Sequence, residues 1–278
     1  MSTVELPDIQ QSAPANPIAI EWVGVRGLRY PVTVVGAGPE PQAAAADFAL
    51  AVGLEATERG THMSRFVEQL AELREELSAE TLLRAADDLA SRLFSRSARI
   101  DVSFPWFLER TAPASGAIAP VDCEASMSAC VAPVGQSLEI SIRTAVTSLC
   151  PCSKEISDYG AHSQRGYVKI TVAADREAVA ALAKVNLGEL VEIADRSASA
   201  PIYALLKRVD EREVTMQAYD QPAFVEDMVR SVAADLAGDP RFPSFCVEAA
   251  TLCVNKGAST GPLLPAFCGR CPSSSGAA

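Results

Sequence analysis

Two histidines in a chain of 278 residues narrow any search for an acid, a base or a metal ligand to His62 and His162. His162 follows Cys150-Pro151-Cys152-Ser153-Lys154, which closes a predicted strand, and it sits in Tyr159-Gly160-Ala161-His162, the turn that comes next. A thiolate at a strand end and an imidazole on the following turn are soft donors suited to a zinc-like ion, with a coordination place left for water when the site is catalytic. The same pair also reads as a buried thiol beside a solvated histidine, and spacing alone leaves both open. His62 stands at the mouth of a helix in Gly60-Thr61-His62-Met63-Ser64-Arg65-Phe66, as a hydrogen-bonded cap or an interface residue.

Lys154, Arg165, Lys169, Lys207 and Arg208 are the candidates for a triphosphate or another anionic group. Arginine engages phosphate bidentately and lysine acts as a point charge. A solvated or ion-paired face is the alternative for each, and Arg165 gains from lying next to the Cys150/His162 segment. Cys268-Gly269-Arg270-Cys271 is half of a zinc knuckle or a redox dithiol, with Cys246 and Cys253 as possible distant ligands. Without a partner pair in sequence it also reads as a tail holding two thiols. Cys123 and Cys130, on one predicted strand, are expected to pack.

Composition removes other chemistry. With 24 basic against 35 acidic side chains the chain carries a net charge of -11, which argues against nucleic acid or an anionic membrane as the main partner. An anionic substrate must then be met by a local basic pocket. No stretch nears the roughly 18 apolar residues of a membrane span, and the acidic, proline-containing start lacks the regions of a signal peptide. The expectation is a soluble cytoplasmic protein whose eight cysteines stay reduced.

The elements that must position these residues follow from periodicity. Ile18 to Val25 and Leu28 to Val35 read as two strands joined by a hairpin at Arg26-Gly27. In Gln42 to Leu54 alanine content favours helix and the Phe48, Leu50, Val52, Leu54 alternation favours strand, the preferred reading. Phe66, Val67, Leu70, Leu73 and Leu77 define a first helix. Leu82, Leu83, Ala86, Leu89, Ala90, Leu93 and Phe94 define a second, capped by Ser78. Strands are expected at Ile100 to Phe107, Val121 to Val131, Leu138 to Ser148, around Val168 to Val172 and from Phe245 to Val254. Helices are expected at Leu187 to Ala198 and from Pro222 to Leu236, the latter capped by Asp220. Strands flanking a helix pair, twice over, give an antiparallel α+β architecture in two modules, 18–135 and 136–258, between arms at 1–17 and 259–278.

Several segments together resemble the prokaryotic type IB GTP cyclohydrolases. They are Leu6 to Gln10, Val23 to Pro31, Gly60 to Phe66, Ser148 to Ser157, Gly160 to His162, Gln164 to Gly166, Leu205 to Arg208 and Phe224 to Arg230. The resemblance runs in order over roughly residues 6–258. It implies a bimodular tunnelling fold, two antiparallel-sheet modules each with paired helices, assembled as a homo-oligomeric barrel, a homotetramer with sites between subunits. It also implies a reaction in which metal-activated water attacks the guanine imidazole ring of GTP, formate leaves and 7,8-dihydroneopterin triphosphate, a folate precursor, is formed. The metal would be zinc, manganese or iron, on Cys150 and His162. Lys154, Arg165, Lys207 and Arg208 would bind substrate.

The family's pattern is not complete here. Where it carries one glutamate before and another after the Leu205-Leu206-Lys207-Arg208 segment, ungapped comparison places Pro201 and Met216. Where it ends on a histidine-containing strand, this chain has Cys253-Val254-Asn255-Lys256. Three expectations stand beside one another. Asp210, Glu211, Glu213 or Glu248 substitute and GTP is opened. Alternatively, a diverged site with Cys150, His162 and Cys253 as metal ligands takes another heterocycle or amide, or the chain only binds.

Overall fold

A computed structural model describes residues 10 and 12–251, and 266–270 by their backbone. Nine strands make one antiparallel sheet: β1 (Ile20–Val34), β2 (Gln42–Leu54), β3 (Ala98–Thr111), β4 (Ile118–Ala132), β5 (Gly135–Leu149), β6 (Ser163–Asp175), β7 (Ala200–Pro201), β8 (Ser244–Thr251) and β9 (Ala266–Arg270). They lie in the order β1-β2-β3-β4-β5-β6-β8-β9, with short β7 added against β5. Strand β9 pairs with β8 and so corrects the expectation of an arm with little structure of its own over 259–278.

Alternation decides which face is covered. In β2, Phe48, Leu50 and Val52 are buried and alternate with Asp47, Ala49 and Ala51, so the period-two pattern prevails over the helix propensity of its alanines. Leu138, Ile140 and Ile142 do the same on β5. Against this face pack α1 (Met63–Leu73) and α2 (Ala79–Arg92) behind the first strands, and α5 (Leu187–Ser197) and α7 (Val225–Ala237) behind the later ones. Three further helices, α3 (Pro151–Ile156), α4 (Val179–Leu182) and α6 (Arg208–Asp220), complete the described chain. Ser78 caps α2 as expected: its hydroxyl accepts from Thr81 N at 3.1 Å, and Thr81 Oγ1 accepts from Ser78 N at 2.8 Å.

Four further expectations are corrected. The hairpin at Arg26-Gly27 is instead a register shift within the single strand β1, with Gly27 at a φ of 71° supplying the left-handed residue of a bulge. Leu77 is buried but lies beyond α1, where its backbone pairs with Thr33 and Val35. Phe94, expected on the buried stripe of α2, follows the helix with φ 55° and is exposed. Asp220 ends α6 and does not cap α7, which starts at Val225 with Asp227 accepting from Phe224 N at 3.2 Å. Helix α6 escaped the sequence reading because only Asp210 and Ala218 are buried along it, leaving no apolar stripe to detect.

Gly24 marks a close approach between β1 and β2, where a Cβ would run into the Leu50 carbonyl oxygen. The obstacle is backbone in a paired strand and cannot rotate aside. A Gly24→Ala protein is expected to lose roughly 5 °C or more of Tm; an unchanged melting curve would show that β1 shifts freely on β2.

Candidate functional site

Strand β5 delivers Cys150 to the site. Its last residue, Leu149, is held from two sides: its N–H donates to Ser199 Oγ at 3.0 Å and its carbonyl accepts from Ala223 N at 3.2 Å. Cys150 follows as the N-cap of α3, where Pro151 at the first helical position suits the missing donor. The Cys150 thiol accepts a single long contact from Ser153 N at 3.5 Å. Cys150 N donates to the His162 carbonyl at 3.1 Å, and His162 N donates to Ser153 Oγ at 3.2 Å. The twelve-residue excursion thus returns on itself and sets His162 against Cys150. His162 Nδ1 is buried and has no hydrogen-bond partner among the described residues. A buried orphan nitrogen and a lightly engaged thiol, on residues joined by a backbone bond, fit a bound soft metal, because both donors have lone pairs available.

The donor set is incomplete among the described residues, where no group of three His, Cys, Asp or Glu side chains could hold a metal. Cys253 lies outside the described residues, as do Asn255, Lys256 and Cys271. Cys268 is on β9 opposite Val247. Cys123 and Cys130 are the packing thiols expected, and burial pushes both thiol pKa values up.

The acids considered as substitutes are committed elsewhere or turned outward. Asp210 is buried, and its carboxylate accepts from Ala114 N (2.9 Å), Ser115 N (2.7 Å), Ser115 Oγ (2.6 Å) and Lys207 N (2.7 Å). Desolvation raises its pKa, but these four donors outweigh it and hold the group well below the usual carboxylate range. Asp210 therefore moors α6 to the β3–β4 turn. Its stabilisation is present above the unfolded carboxyl value of about 3.9 and is lost as pH falls through the lower folded value. An Asp210→Asn protein is expected to melt roughly 5 °C or more below wild type at pH 7, with the gap narrowing below about pH 4. Equal melting at pH 7 would rule this mooring out. Glu248 pairs across strands with Lys169 at 3.1 Å, and Glu211 and Glu213 are exposed on α6.

A sequence model described as type I GTP cyclohydrolase folE2 matches residues 6–252. The chain belongs to this FolE2 family. It is 42% identical over 243 residues to GTP cyclohydrolase FolE2 1 of Dechloromonas aromatica, covering 87% of this chain and 89% of that one. It is 40% identical over 250 residues to GTP cyclohydrolase FolE2 of Magnetococcus marinus, covering 89% and 92%. Among solved structures, urate oxidase of Bacillus sp. TB-90 superposes with a TM-score of 0.52 at 9% identity, over 90% of this chain and 99% of that one. That likeness carries the tunnelling fold and nothing of the chemistry.

Within this FolE2-family chain the cationic candidates are dispersed. Lys154 donates to the Tyr219 carbonyl at 2.5 Å and lies 4.2 Å from that ring's centre, tying α3 to the end of α6. Lys207 and Arg208 are exposed at the other end of α6, about 16 Å away at 1.5 Å per residue. Arg165 is exposed on the open face of β6, near the Tyr167 ring that also stacks under Arg143 at 3.9 Å. Pro201 is paired with Val146 beside the site. Val214 and Ala218 face Leu149, so Met216, two residues from each, points away from Cys150 and is 44% exposed. His62 lies between β2 and α1, three strands from β5 in the sheet order, against a cavity of about 510 Å³ with Thr61, Arg65 and Phe94, and its side chain does not cap α1. No helix among the described residues is long and apolar enough to cross a membrane.

Proposed function

We propose that this chain is a GTP cyclohydrolase, opening the imidazole ring of GTP with release of formate to give 7,8-dihydroneopterin triphosphate, a folate precursor. The observation that carries it is His162 Nδ1, buried without a partner among the described residues, on a residue whose backbone is bonded to that of Cys150, in a chain of the FolE2 family. Cys150 and His162 would hold a divalent ion, with zinc best suited to S and N donors and manganese or iron the alternatives. Such an ion lowers the pKa of bound water towards neutrality and so supplies the nucleophile. The chain's own part is to fix the turn that carries the two donors: Ser153 Oγ accepts from His162 N, and Ser153 N donates to the Cys150 thiol at 3.5 Å. Cys253 is the third ligand suggested by the sequence. Lys154, Arg165, Lys207 and Arg208 are assigned to the triphosphate, Lys154 keeping donors beyond the one it gives to Tyr219.

The assembly we propose is a homotetramer of two-module chains, 18–135 and 136–258, with sites where subunits meet. Support comes from Ile156 and Tyr159, exposed apolar side chains just beyond Cys150 in the chain, and from Val209 and Met216, exposed on α6. A neighbouring chain there would also bring the dispersed cations of two subunits together. The free thiols Cys123, Cys150 and Cys152 suit a cytoplasmic location. The test is addition of GTP to purified protein with Zn²⁺, Mn²⁺ or Fe²⁺, reading neopterin fluorescence and formate together. Both products in equal amount are expected; bound metal without either product would overturn the assignment.

A further inference from the structure

Gln164 presents a second orphan atom next to the first. Its Oε1 is buried and, like His162 Nδ1, has no hydrogen-bond partner among the described residues. Register makes them neighbours. Gln164 pairs with Ser148 across β5 and β6, and the next rung on the same face carries Cys150 and His162, joined by the 3.1 Å backbone bond. Ser148 cannot serve the amide, since its hydroxyl is given to the Ala223 carbonyl at 2.9 Å. A buried acceptor left without a donor costs stability, and a bound ligand with an N–H at this place would supply one.

We infer that Gln164 is a specificity-determining and positioning residue of the cyclohydrolase reaction, its carboxamide oxygen accepting a ring N–H of the purine. This rests on Cys150 and His162 being the metal pair. Two residues along a strand span about 6.6 Å, well beyond a metal–ligand bond of about 2.0–2.3 Å. This backbone spacing matches the width of a fused ring system whose reacting carbon would lie at the metal and whose far edge would meet Gln164. A guanine offers N–H donors at that edge, and a site built around one polar contact discriminates strongly against purines that lack it.

The full-chain protein with Gln164→Leu and Gln164→Glu tests this. With leucine, metal content is expected to stay at the wild-type level and Tm to hold or rise, because an unsatisfied buried acceptor has been removed. The KM for GTP is expected to rise at least about tenfold, with kcat falling less. Glutamate keeps the acceptor and is expected to hold KM within about threefold of wild type. A leucine variant with wild-type KM would overturn the role, and so would one whose Tm drops by more than a few degrees, which would mean that the oxygen is bonded inside the protein. A wild-type enzyme silent towards GTP removes the underlying function and this role with it; an active enzyme indifferent to leucine at this position removes only the role.

Discussion

Cys150→Ala is expected to abolish metal binding and to lower GTP turnover by on the order of 10³-fold or more, while Tm changes by no more than a few degrees. The separation of the two effects follows from how little the thiol does for the fold. Cys150 is half-buried, caps a helix of only six residues, and accepts one contact from Ser153 N at 3.5 Å. The backbone bond from Cys150 to the His162 carbonyl survives any side-chain change. The chemical loss is large because unassisted water has a pKa near 15.7, against about 7 when bound to zinc. Cys150→Ser sharpens the result. Serine is the better N-cap and keeps the local structure, yet its neutral hydroxyl is a poor ligand for zinc, so metal content should fall although α3 is preserved. Metal analysis beside product fluorescence decides the matter; full turnover from either variant would sink the assignment.

Much of the fold was legible because it is written in period two. Phe48, Leu50 and Val52 on β2, and Leu138, Ile140 and Ile142 on β5, alternate with small or polar residues, since one face of the sheet meets helices and the other does not. The bulge at Gly27 was misread as a turn because a left-handed glycine serves both, and only the partner strand reveals that β1 continues. Helix α6 was illegible for a different reason: it packs through Val214 and Ala218 onto Leu149 and is moored at its start by Asp210, so its remaining residues face outward. The candidate site divides in the same way. Residue type and order put Cys150 at a strand end and His162 on the following turn, and the structure bonds their backbones at 3.1 Å; their pairing as ligands came from the family resemblance. The role of Gln164 could not be read from type and order, since glutamine is chemically unremarkable until register sets it one rung from that pair with its oxygen buried. Asp210 went the opposite way: an acid near the proposed nucleotide segment looked chemical and is structural, its lone pairs already taken by Ser115, Ala114 and Lys207.

Arg110→Ala should give the largest loss of stability of any single substitution considered for this fold. Arg110 on β3 meets Asp195 on α5 through two bonds, Nη1 to Oδ2 at 2.5 Å and Nη2 to Oδ1 at 2.9 Å, with side chains only 8% and 13% exposed. The pair joins the two halves of the structure across the core face. Removing one partner of such a pair leaves an uncompensated buried charge and costs about 3–5 kcal/mol, on the order of 10 °C of Tm for a chain of this size. Replacing both, as Arg110→Met with Asp195→Leu, is expected to restore most of that loss, because the desolvation of both charges disappears together. The Asp195 carboxyl is shifted in the direction opposite to that of Asp210. Burial already pushes the Asp195 pKa up against the pull of Arg110, and without the arginine it rises further. A native state that holds its proton more tightly than the unfolded chain loses stability as pH rises from about 3.9 through the folded value. The Arg110→Ala deficit should accordingly shrink on acidification from pH 7 towards pH 5, as a growing fraction of Asp195 is protonated. Thermal melts of the two single variants and the double variant at both pH values would test this, and a double variant as unstable as Arg110→Ala alone would show that packing, not charge, holds this junction.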